Sequence, residues 1–107
     1  MKIKTWNIET MTGYKPKTTW YQDFSIADVF GASAVKATLK DALMNCQYLG
    51  HEYLTELVMV LNWKIFEHYE RNDQLAELYN TLWEQVGDYA LDTLTGDELD
   101  YYLNTID

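Results

Sequence analysis

Basic residues are missing from the last third of this chain. Residues 72–107 hold nine acidic side chains and neither Lys nor Arg, a segment charge of −9. Residues 18–71 are milder, with four basic against seven acidic side chains. Residues 1–17 reverse the sign, with Lys2, Lys4, Lys15 and Lys17 against Glu9. A surface this rich in carboxylate repels phosphate backbones, which argues against direct nucleic-acid binding. It favours a basic protein surface as partner. Cysteine is as scarce: a single thiol, Cys46, excludes an internal disulfide. Residues 1–9 carry no apolar h-region, so a reducing cytoplasm is the expected setting. The longest unbroken apolar run, residues 57–61, is far too short to cross a bilayer. What is present suffices for one folded domain over residues 1–107. Hydrophobic residues make up 48% of the chain and aromatics 15%, which excludes disorder as its general state.

The organising stretch is residues 53–66, YLTELVMVLNWKIF. Wound as a helix, it sets Leu54, Leu57, Val58, Leu61, Ile65 and Tyr69 on one side at i, i+3, i+4, i+7 spacing. Met59, Val60, Trp63 and Phe66 fall on its flanks. A helix apolar over most of its circumference must be covered by others. The fold class expected is therefore all-α, a small bundle of about five helical segments around a central helix over residues 51–71. Ser25 is the expected cap of a short first segment, residues 26–30, closed by Gly31. Ser33 opens a second helix to about Tyr48, with Val35, Leu39, Ala42, Leu43 and Cys46 as its stripe, and Gly50 ends it. Asn72 or Asp73 caps a helix that runs to about Leu94. Thr95 and Glu98 have capping-box spacing and start a last helix through Leu103. Ahead of the helical core, residues 18–107, lies an arm over residues 1–17. Residues 3–10 alternate as a short strand would, and Pro16 forbids a helix through it. An extended arm with one strand and a two-stranded hairpin both fit this pattern.

The helix after residue 72 is the most sharply divided. At about 100° per residue, Leu75, Leu78, Tyr79, Leu82, Val86, Tyr89 and Ala90 share one side. Asp73, Glu77, Glu84, Asp88 and Asp92 share roughly 100° of arc on the other. No basic residue stands at i+4 to any of these acids within the helix, so local pairs do not neutralise them. Of the adjacent aromatic pairs Trp20-Tyr21 and Tyr101-Tyr102, at least one member of each should reach the surface unless the arm covers it. Aromatics bordered by acids suit a protein-binding surface, which makes Tyr101 and Tyr102 candidate anchors beside the five acids.

Catalytic, metal and cofactor sites find no support in these residues. His51 begins a zincin-like run but lacks the second His at i+4. Neither His51 nor His68 has the Glu three residues earlier that a di-iron bundle requires, because Tyr48 and Ile65 stand there. Glu67, His68 and Glu70 read as the solvated end of the central helix. Cys46 lies on an apolar stripe, where a thiol behaves as a small hydrophobe. Trp63 and Trp83 read as core or core-edge residues.

At residues 20–31, WYQDFSIADVFG, and again at residues 53–69, YLTELVMVLNWKIFEHY, the chain resembles a group of small proteins from phages, plasmids and conjugative elements of low-GC Gram-positive bacteria. The resemblance carries no catalytic or binding residue with it. It implies a mobile-element setting, where small acidic inhibitors of host nucleic-acid enzymes, of anti-CRISPR and anti-restriction type, are a known class. The function expected is a non-enzymatic interaction protein whose acidic face meets a basic partner, with carboxylates standing where phosphates would. The alternative is a structural homodimer whose acidic face serves solubility.

Overall fold

The apolar repeats of the sequence are realised as five helices joined by short links. A computed structural model describes residues 20–106, in which α1 spans Trp20–Phe30, α2 Ala32–Leu49, α3 His51–Arg71, α4 Leu75–Thr93 and α5 Gly96–Ile106. The arm expected over residues 1–17 lies outside the described residues. The all-α class and the central position of α3 are as the pattern required, since α3 packs against each of the other four helices. Its Leu54, Leu57, Val58, Leu61 and Ile65 are buried against Phe24 of α1, Val35 and Cys46 of α2, Tyr79, Leu82 and Val86 of α4, and Tyr102 of α5. Each fully buried leucine here contributes about 1.5–3 kcal/mol relative to an exposed one.

The links turn on residues that tolerate positive φ. Gly31 and Gly50 both adopt φ 98°, and the Gly50 N–H reaches back to the Cys46 carbonyl at 2.9 Å. Asn72 ends α3 in the left-handed region at φ 53°. Asp73 then supplies the cap, its Oδ1 accepting from the Leu75 N–H at 2.9 Å.

Four expectations are corrected. Helix α1 already includes Trp20, so Ser25 is an interior residue and not its cap; Trp20, Phe24 and Ala27 are all buried along one face. Ser25 Oγ instead accepts a hydrogen bond from Lys64 Nζ at 3.3 Å. On α3 the stripe ends at His68, 1% exposed, while Tyr69 points outward at 57%. Trp63 is likewise a surface residue, at 64% exposure, its ring edge-on to Tyr21 with centroids 6.3 Å apart. Finally Glu98 does not close a capping box with Thr95; its Oε2 lies 3.5 Å from His51 Nδ1.

Candidate functional site

Helix α4 buries Ala76, Tyr79, Leu82, Val86 and Ala90 against the bundle. That choice of face forces the opposite one outward, and Glu77, Glu84, Asp88 and Asp92 are all exposed along it. Among the described residues no salt bridge reaches any of these four. Glu84 accepts only a long bond from Asn80 Nδ2, at 3.5 Å. The four basic residues described explain why. Lys64 is buried, Arg71 is held by Glu67 at 2.6 Å, and Lys36 and Lys40 lie on α2, which packs on α1 and α3.

Asp73 stands apart from the other acids of the row. Its Oδ2 lies 2.7 Å from His68 Nδ1 while its Oδ1 caps α4. The bond from His68 leads in holding its carboxyl below the usual range, joined by the Leu75 N–H and by the His68 and Arg71 charges. The open row therefore starts at Glu77. The two candidate anchors also separate. Tyr101 is 42% exposed and sits edge-on to His51, with centroids 5.2 Å apart. Tyr102 is 2% exposed and belongs to the core, so it is not a surface anchor. Burial is the main cause that pushes its phenol pKa up, with the Asp88 charge adding to it.

Sequence reasoning missed a buried ionic cluster. One carboxylate oxygen of Asp28 on α1 accepts from Lys64 Nζ and lies 2.9 Å from His68 Nε2. The other oxygen accepts from the Tyr79 hydroxyl. Lys64 also donates to Glu67 at 2.9 Å, and Glu67 in turn accepts from Tyr21 at 3.0 Å and pairs with Arg71. The His68 ring stacks on Tyr79 with centroids 5.2 Å apart. Both His68 nitrogens face carboxylate oxygens, Nδ1 that of Asp73 at 2.7 Å and Nε2 that of Asp28 at 2.9 Å. Of the solvated helix end expected at Glu67, His68 and Glu70, Glu70 is exposed, but His68 is sealed beside Lys64 and half-buried Glu67 bridges Lys64 to Arg71.

The signal for this cluster was in the sequence. Taking about 100° per residue, Lys64 and His68 lie within roughly 60° of Leu57 and Leu61 on the apolar meridian of α3. A charged pair at i, i+4 on that meridian requires buried acid from another helix.

Burial of Lys64 pushes its ammonium down, but the hydrogen bonds and charges of Asp28 and Glu67 outweigh it and hold the pKa above 10.5. Tyr79 is raised, by burial first and then by its bond to Asp28, and stays a neutral phenol. Lys64, His68 and Tyr79 are each at most 1% exposed, and their polar atoms are paired within the protein. Such a cluster ties α1, α3 and α4 together. Cys46 is sealed as well, and burial pushes its thiol up to about 12. Among the described residues no group of three or more metal-ligating side chains is arranged to hold an ion. No helix among them is long and apolar enough to cross a membrane.

The fold and its charge define a class: a small all-α bundle with an acidic outer row on one helix. Compared with protein-family models, curated proteins and solved structures, the chain finds no match.

Proposed function

We propose that the chain is a non-enzymatic interaction protein that presents the outer face of α4 to a basic protein surface. The reading rests on one observation: Glu77, Glu84, Asp88 and Asp92 are exposed in a row with no cation paired to them among the described residues. Unneutralised charge on a rigid helix steers and orients a complementary partner. The sharpest form of this reading is occlusion of a nucleic-acid-binding channel, with carboxylates in the place of phosphates. The likeness to small proteins of mobile elements supports that form and directs it to host defence enzymes of CRISPR or restriction type. Tyr101 is the anchor that the geometry leaves available.

The test is binding to such an enzyme at ~0.1 M and ~1 M salt. Wild type is compared with the Glu77→Lys, Glu84→Lys, Asp88→Lys triple variant. Affinity should collapse both with salt and with charge reversal. Binding that survives both removes the acidic row from the function.

A second reading, a homodimer kept soluble by its acidic face, is favoured by the open strip of α3. Met59, Trp63 and Phe66 are 38%, 64% and 63% exposed at i, i+4, i+7 spacing. A dimer in sedimentation that persists at ~1 M salt and dissociates on Trp63→Ser would establish it.

A further inference from the structure

Helix α5 packs on α3, not along α4. The space between α4 and α5 is a groove of about 400 Å³. Trp83, Gly87 and Leu91, at i, i+4, i+8, form its α4 wall, and Tyr102, Leu103 and Ile106 its α5 wall. Leu91 and Leu103 are 51% and 39% exposed, so the walls offer apolar area that nothing in the described chain covers. Gly87 keeps the floor open: a Cβ there would meet the Tyr102 hydroxyl at 3.6 Å, an ordinary contact, and anything longer would enter the groove. The rim is charged with one sign only. Glu84 and Asp88 stand one residue round the helix from Trp83 and Gly87, and both line the groove.

From this juxtaposition we infer that the groove receives an amphipathic basic helix, its apolar stripe seated between α4 and α5 and its Lys or Arg residues on Glu84 and Asp88. Charge selects this occupant. A second copy docking through this same α4–α5 face would bring its own carboxylates to the rim, because residues 72–107 contain no base. A phosphate-bearing partner would be repelled by the same rim. Helix-in-groove recognition needs apolar anchors at i, i+3, i+4, i+7, and the i, i+4, i+8 wall of α4 matches that pitch. The inference deepens the acidic-face reading and depends on it for the charged half of the contact.

The probes are two peptides of about 14 residues, roughly four helical turns, with the same lysine positions: one with leucines on the apolar face, one with alanines. Binding to the full chain is followed by titration calorimetry and by the indole signal of Trp83 in nitrogen-15 correlation spectra. Wild type should bind the leucine peptide roughly ten-fold more tightly than the alanine peptide, as burial of a few methylenes requires, with the Trp83 signal shifted. Gly87→Leu, which fills the groove, should abolish that preference while leaving the shared charge-driven affinity. Gly87→Ala, which fits sterically, serves as the control for helix integrity. Leu91→Ala with Leu103→Ala, at exposed positions, gives the same answer without overpacking.

Equal binding of both peptides, lost on Glu84→Lys with Asp88→Lys, overturns the groove and leaves the acidic face standing. Binding of neither peptide overturns the groove and removes support from the acidic face together. A dimer that Gly87→Leu dissociates would make the occupant a second copy and overturn the assignment.

Discussion

Asp28 and His68, 40 residues apart in the chain, meet through Oδ2 and Nε2 at 2.9 Å. The same carboxylate takes Lys64 and Tyr79, so one acid on α1 meets three side chains from α3 and α4. Breaking such a buried cluster from one side leaves uncompensated charge, and that cost exceeds what the intact contacts contribute.

Asp28→Ala and Lys64→Ala should therefore each destabilise the fold by about 3–5 kcal/mol. Asp28→Leu combined with Lys64→Met removes both charges and should cost well below the sum of the corresponding single changes. Urea unfolding of wild type, Asp28→Leu, Lys64→Met and the double variant closes the cycle. Additive costs would mean that the two side chains do not sense each other.

The pH profile follows from the same cluster. Burial pushes Glu67 up, but bonds from Lys64 and Tyr21 and the Lys64 and Arg71 charges prevail and hold it below 4.5; Asp73 is held below 3.8. Depressed carboxylates contribute stability that is complete above their unfolded values and lost as pH falls through the folded ones. Stability should thus decline progressively below about pH 4.5, and Glu67→Gln should flatten that decline. Lys64 is raised, so its contribution is complete below 10.5 and is lost only as pH climbs through the higher folded value. Urea midpoints measured from acid to alkaline pH check both edges.

Tyr101 and Tyr102 are neighbours in sequence with opposite fates. Tyr102→Ala should cost about 3–5 kcal/mol, as for other buried aromatic truncations. Tyr101→Ala, at a half-exposed site, should cost about 1 kcal/mol or less. If Tyr101 anchors a partner, its loss should weaken binding at nearly unchanged thermal stability. Denaturation and affinity measured on the same samples separate the two roles.

Local pattern determined much of this molecule. The repeat of Leu54, Leu57, Val58, Leu61 and Ile65 sufficed to make α3 the centre, because an apolar face that wide is stable only when covered. The opposed faces of α4 followed in the same way, since burying Leu82 and Val86 leaves Glu84 and Asp88 nowhere but outside. Gly31 and Gly50 marked the turns because positive φ is costly for other residues. Helical spacing sets Lys64 and His68 on the buried meridian, but the tertiary structure alone decided what meets them there. Lys64 and His68 are buried because Asp28 arrives from α1, and Asp73 leaves the open acidic row because His68 claims it. Tyr102 turns inward because α5 lies on α3, and that same placement opens the groove along α4. Burial of a charge depends on a counter-charge that is remote in sequence, and periodicity along one helix holds no record of what stands across from it.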